Sequence, residues 1–281
     1  MDIFEIFRYD FTMQPGPDPK FPYLNENERF QFPHPEKSAN NSIIAWGGNL
    51  SPGMLLSAYE QGLFPWYNEG DPILWQSPDP RFVIFPEKLH ISKSMTKILK
   101  QKKFDIAFDG DFESVIRGCS EMRRPGQNGT WITNDIISAY TELHKLGWAH
   151  SSESWSSGKP DDMSVRERTD SGLESRFDGY KLAGGCYGIR LGNVFFGESM
   201  FSLEPNASKA AFLTLALHLF NDGVEIIDCQ TPTYHLESLG GEKIPRKDFI
   251  RRLRAAMADR DSDLADRRGK WNIKTAESGN I

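Results

Sequence analysis

The chain has 281 residues, with 33 Lys and Arg against 39 Asp and Glu and a formal net charge of -6. That length builds one large domain or two modest ones around a real core. The acidic balance excludes wholesale coating of nucleic acid while leaving room for a local basic patch.

Residues 1–31 carry Pro15, Pro17, Pro19 and Pro22 and are expected as an extended arm. The start lacks a basic segment followed by an apolar run, and no apolar stretch nears ~18 residues, so a soluble cytoplasmic protein away from membranes is expected. Ser51-Pro52 reads as a helix cap with proline at the first helical position. Met54, Leu55, Ala58 and Tyr59 give that helix an apolar face, Gly62 stops it, and Phe64-Pro65-Trp66-Tyr67 makes an aromatic turn. The stretch 81–86 reads as a strand and 90–100 as a short helix with Lys93, Lys97 and Lys100 on one side. With Lys102 and Lys103, five lysines fall within eleven residues without an intervening acid. A solvated face is the ordinary explanation of a lysine run; in an acidic chain this one is read as a phosphate-contacting patch.

Residues 104–108 alternate as a strand, 112–119 form a helix, and 123–129 make a loop carrying Arg123 and Arg124. Thr133-Asn134 caps a helix whose apolar positions are Ile136, Ile137, Tyr140 and Leu143. A strand over 148–155 leads into residues 156–179, which are polar and mixed in charge and read as a surface insertion before a strand over 181–190. The three cysteines, Cys119, Cys186 and Cys229, have no close pairing and are expected as buried thiols. The six histidines lack ligand spacing, so no metal is expected.

The informative stretch is 192–230. Residues 194–201 are aromatic and β-favouring, 207–221 repeat apolar residues at helical spacing, and 224–230 read as a second strand. Period-two alternation puts Ile226, Asp228 and Gln230 on one face, with Ile227 and Cys229 on the other. A carboxylate in an apolar strand is costly unless paired. Taken singly, Glu198 or Asp228 is best explained by a cap or by an ion pair with Arg190 or Arg246; the two acids together with Gln230 point to a shared polar cleft.

Gly197-Glu198-Ser199-Met200-Phe201-Ser202, Asn206-Ala207-Ser208-Lys209, Ile227-Asp228-Cys229-Gln230 and Ser238-Leu239-Gly240 together resemble the leucyl/phenylalanyl-tRNA–protein transferase family. Gly47-Gly48-Asn49-Leu50-Ser51-Pro52, Gly62-Leu63-Phe64-Pro65-Trp66, Ser77-Pro78-Asp79-Pro80-Arg81, Gly129-Thr130-Trp131-Ile132-Thr133 and Gly184-Gly185-Cys186-Tyr187-Gly188 agree in order. The similarity runs from about Phe32 to Arg252, is broken at 156–179, and departs at Asn49, where Asp is expected, and Gln76, where Trp is expected. Mixed strands and helices give an α/β or α+β class. The resemblance implies a small N-terminal α/β domain over 32–95 and an N-acetyltransferase-like (GNAT-like) domain over 96–258, flanked by the arm and a polar tail at 259–281.

The activity implied is transfer of Leu or Phe, with Met as a further donor, from aminoacyl-tRNA to the α-amine of proteins beginning with Arg or Lys, marking them for N-degron degradation. No cofactor or metal is implied. Lys93, Lys97 and Lys100 map onto the family's tRNA-contacting helix. Trp66 and Trp131 map onto tryptophans holding the adenosine base, where stacking is chemically sensible. Met200, Cys186, Leu215 and Leu219 map near the amino-acid pocket, the last three replacing bulkier residues. An α-amino group titrates near 7.7–8, so an activated ester needs orientation, a proton acceptor and oxyanion stabilisation. Gln230 is expected to supply the amide donor, Asp228 to hold Gln230 and attract the ammonium, and Glu198 to meet the acceptor's cationic side chain.

Other readings are weaker. Gly197-Glu198-Ser199-Met200-Phe201 lacks the second glycine of a nucleophile elbow, and Cys229 with His235 is expected to face away from the site. An acyl-CoA N-acetyltransferase would want backbone amides cradling a pyrophosphate at a helix start. A cell-wall peptide acceptor and a non-enzymatic RNA-binding module on the lysine helix complete the alternatives.

Overall fold

The computed structural model describes residues 14–38, 41–122, 130–157 and 179–258. The 123–129 loop, residues 158–178 of the polar insertion, the first residues of the arm and the charged tail lie outside them.

The first elements are β1 (Ile43–Trp46), α1 (Pro52–Glu60), β2 (Phe64–Pro65) and β3 (Leu74–Gln76), the three strands pairing in the order β1-β3-β2. Pro52 occupies the first turn of α1 as expected, but the Ser51 hydroxyl makes no cap bond there and accepts instead from the Leu24 amide. The arm thereby reaches α1: a Cβ on Gly53 would lie 2.4 Å from the Asn25 carbonyl. Asn49 donates its amide to the carbonyls of Phe21 and Pro22 at 3.1 and 3.0 Å. A carboxylate cannot donate, so asparagine at this position serves the docking of the arm, and Phe21, Leu24 and Phe30 pack onto the core.

The chain continues through β4 (Arg81–Ile84), α2 (Lys93–Lys100), β5 (Asp105–Phe108), α3 (Phe112–Glu121) and α4 (Asn134–Lys145). Then come β6 (Ala149–Ser157), β7 (Tyr180–Leu191), β8 (Val194–Ser202), α5 (Ala207–Asn221), β9 (Ile226–Gln230), α6 (Tyr234–Glu237), β10 (Glu242–Ile244) and α7 (Arg246–Ala258). A seven-stranded sheet runs β10-β4-β9-β8-β7-β6-β5. Only β8 and β9 pair in parallel, and α5 is the crossover that a parallel pair requires. The fold is α+β. β4, from the segment assigned by sequence to the N-terminal unit, is an inner strand of this large sheet, between β10 and β9.

The sheet separates two apolar clusters. Phe196 and Ile226 face a cluster shared with α1, α3, α4 and α7, whereas their neighbours Phe195 and Ile227 face one shared with α2 and α5, the alternation a pleated strand imposes. The three cysteines are buried and form no disulfide. Among the described residues no helix is long and apolar enough to cross a membrane, and no group of three or more His, Cys, Asp and Glu is placed to hold a metal ion.

Candidate active site

Because Phe196 stands opposite Asp228 in the parallel β8/β9 pair, the strands bring Glu198 and Gln230 side by side two residues on. Gln230 Nε2 donates to Glu198 Oε1 at 2.8 Å. Two helices complete the group. Tyr59 of α1 donates its hydroxyl to Oε1 at 2.7 Å, Tyr140 of α4 lies 3.3 Å from Oε2, and the two phenols hydrogen-bond each other. When Glu198 is protonated, its O–H and the two phenols have donors and acceptors for a closed ring; when it is ionised, its oxygens are purely acceptors.

Glu198 is only 9% exposed. Burial raises its pKa to about 7, the charge of Asp228 adding to the rise while the hydrogen bonds from Tyr59, Gln230 and Tyr140 oppose it. The phenols are pushed well above their ordinary range by burial first and by the Glu198 charge second. They remain donors, and Glu198 is the group that exchanges a proton near neutrality.

Glu198 and Gln230 line a cavity of about 750 Å³. Trp66 and Trp131 stand in its wall with Phe64 and Pro65; Cys186, Phe195, Met200 and Phe212 supply apolar surface; residues 231–233 with His235 and Leu236 form a further side. Of the residues expected at the site, the structure therefore gathers Glu198, Gln230, Trp66, Trp131, Met200 and Cys186. It does not gather the others. Leu215 and Leu219 are buried in the cluster shared by α2 and α5 and do not line the cavity, because on α5 it is Phe212 and Ser208 that reach it. Lys93, Lys97 and Lys100 are exposed along α2, outside the cavity.

Asp228 departs most from expectation. It is fully buried, lines no part of the cavity, and is held by Arg81, whose Nε and Nη2 donate to its two oxygens at 2.8 and 2.6 Å. The partner is neither Arg190, which pairs with Asp222, nor Arg246, which donates to backbone carbonyls of Ser38, Asn41 and Ser77. Arg81 lies between the rings of Phe64 and Phe249, 4.8 and 4.5 Å from their centroids, and also donates to Gly62 O. Bidentate pairing with two aromatic faces is the setting in which a buried guanidinium is tolerated.

Asp228 acts on the site through the backbone. Its Oδ1 accepts from the Gln230 amide at 2.9 Å. Gln230 has φ 63°, and Thr231 N bonds to Cys229 O at 2.7 Å, so Gln230 is the centre of a γ-turn. A non-glycine residue held this way costs roughly 1–3 kcal/mol, which surrounding bonds must offset. Alternation holds up to the turn: Asp228 and Gln230 lie on the side of Ile226, Tyr59, Tyr140 and Phe249, and Cys229 packs with Ile227 in the other cluster, but Asp228 points to Arg81 while Gln230 reaches the cavity, which the Cys229 edge also lines.

Sequence reasoning missed Arg81, Tyr59 and Tyr140 as site residues. The signal for the tyrosines was available, since a buried phenol in an apolar helix face needs a partner for its hydroxyl.

A carboxyl poised near neutrality in a largely apolar, aromatic-walled cavity is suited to bind an apolar ligand and to move a proton. Residues 83–160 and 171–254 match the family model described as leucyl/phenylalanyl-tRNA protein transferase, and residues 48–79 match the model of that family's N-terminal domain. A leucyl/phenylalanyl-tRNA–protein transferase of Myxococcus xanthus is 45% identical over 250 residues, 89% of this chain and 95% of the relative. Proteins of the same name from Nitrosospira multiformis and Pseudomonas syringae are 44% and 45% identical over 89% and 88% of this chain, covering 96% and 98% of their own lengths. The chain belongs to the leucyl/phenylalanyl-tRNA–protein transferase family and is an aminoacyltransferase.

Proposed function

We propose that the chain moves Leu or Phe, with Met as a further donor, from aminoacyl-tRNA to the α-amine of proteins that begin with Arg or Lys, in the cytoplasm, as a mark for degradation. The observation that carries the acceptor preference is that Glu198 is the one Asp or Glu side chain lining the cavity among the described residues. A first residue bearing a second positive charge gains most from that single anion, since Coulomb attraction is strong in a poorly hydrated site.

The apolar wall made by Cys186, Phe195, Met200 and Phe212 fits an apolar aminoacyl side chain, and Trp66 and Trp131 offer faces to the terminal adenosine. The exposed lysines of α2 fit the phosphates of the acceptor stem. The ester is already activated and a fraction of the α-amine is neutral at cellular pH. Gln230 keeps one N–H on Glu198 and has a second to offer the ester oxygen. When nitrogen has bonded to the carbonyl carbon, the proton it sheds passes to Glu198 and from there to the ribose oxygen, which leaves with the bonding pair as a hydroxyl and returns Glu198 to its starting state. Asp228 and Arg81 are positioning residues that hold Gln230 in its turn. The likeness of residues 96–258 to an N-acetyltransferase fold is supported by the β8-α5-β9 parallel unit in an otherwise antiparallel sheet.

The test is transfer of labelled Leu or Phe from charged tRNA, without added cofactor, to peptides beginning with Arg, Lys, Asp or Ala. Labelling of the Arg and Lys peptides alone is expected. Labelling independent of the first residue, or acetyl transfer from acetyl-CoA in its place, would end this reading.

A further inference from the structure

Tyr234 opens α6 with 89% of its surface exposed. A lone exposed ring is ordinary on a protein surface; what singles this one out is its place. Its chain neighbours Thr233, His235 and Leu236 line the active-site cavity, so Tyr234 stands at the edge of that cavity. On one side, Lys209 of α5 is close enough for its charge to act on His235, and Ser208 beside it lines the cavity. On the other, His90 N donates to Leu239 O at 2.9 Å, which fastens the end of α6 to the segment leading into α2, where Lys93, Lys97 and Lys100 are exposed. The segment carrying Tyr234 thus borders the cavity and joins, past Leu239, the stretch that leads into α2.

We propose that Tyr234 is a stacking platform for an unpaired nucleotide of the donor RNA, one that precedes the nucleotide carrying the amino acid, with Lys209 beside it to meet the intervening phosphate. This rests on the reading that the acyl donor is aminoacyl-tRNA. A nucleotide outside the cavity has no pocket to fill, and what a strand can gain there is a ring face and a positive charge, a combination that binds single strands whatever the base. A protein ligand would gain little from one ring and one lysine, whereas an RNA end gains from both.

The test compares two donors, Leu-tRNA and Leu esterified to adenosine alone, with Tyr234→Ala and Tyr234→Phe variants of the full chain. Tyr234→Ala is expected to raise KM for Leu-tRNA by about 5- to 100-fold at nearly unchanged kcat. Tyr234→Phe should stay close to wild type, and KM for the adenosine ester should be the same in all three proteins. An unchanged KM for Leu-tRNA in Tyr234→Ala overturns the proposal, as does an equal rise with both donors. A wild-type protein inert toward both donors overturns the underlying reading and this proposal with it; an active wild type beside an unaffected variant overturns the proposal alone.

Discussion

Replacing Glu198 by Gln should make the protein more stable above neutral pH. Glu198 has a pKa raised from 4.5 to about 7 in the fold, chiefly by burial. For an acid shifted upward, the folded state binds the extra proton between those two values. The contribution to stability is therefore fully present below about 4.5 and is lost as pH rises through about 7. The interval multiplied by 1.36 kcal/mol per unit gives about 3 kcal/mol. A glutamine cannot ionise, yet it can still accept from Tyr59 and Gln230. Thermal unfolding followed from pH 5 to pH 9 should show the two proteins converging at the acid end, with the variant ahead by roughly 6–10 °C at the alkaline end. Glu153, buried with its carboxyl pushed up to about 8, titrates in both proteins and cancels in the difference. Melting curves offset by a constant amount at every pH would refute the reasoning, because they would mean that Glu198 is ionised throughout.

Arg81→Met strands the Asp228 carboxylate in the core and should cost about 3–5 kcal/mol in urea unfolding; the double variant Arg81→Met with Asp228→Asn should regain most of it, and equal losses in the two would refute the pairing. Trp66→Ala should raise KM for charged tRNA by about 5- to 100-fold if that ring stacks on a base, with KM for the acceptor peptide unmoved. Changing Lys93, Lys97 and Lys100 together to Gln should flatten the salt dependence of tRNA affinity by about 2–3 in log-log slope, with no change in melting temperature since all three are exposed; an unaltered slope removes α2 from the RNA surface.

What could be read from the sequence was whatever obeyed a simple period. α5 spans the residues that its apolar spacing marks, and β8 and β9 lie where aromatic and β-branched residues cluster. Glu198 and Gln230 were found because a lone polar group in an apolar run is conspicuous. Asp228 lies on the face that the two-residue repeat marks, but Arg81, remote in sequence, turns its carboxylate away from the cavity, and nothing in Asp228-Cys229-Gln230 announces the positive φ of Gln230. Arg81 follows a proline at the start of a short strand, and its burial is decided by Phe64, Phe249 and Asp228, all remote in sequence. Tyr59 and Tyr140 were assigned to apolar faces by their rings, while their hydroxyls are what reach Glu198. Leu215 and Leu219 share a helical face with Phe212, yet of the three only Phe212 reaches the cavity. Local patterns set elements and faces; which side chain arrives at the site depends on contacts between distant segments.

The mechanism rests on the capacity of Glu198 to take the proton released when the acceptor amine attacks. It is tested most directly by single-turnover transfer of Leu from Leu-tRNA to an Arg-initiated peptide, wild type against Glu198→Gln, with both substrates saturating. The expected result is a loss of roughly 10²- to 10⁴-fold in rate, the range for a positioned acid or base, together with unchanged affinity for Leu-tRNA. A variant that transfers within a few-fold of wild type would contradict it.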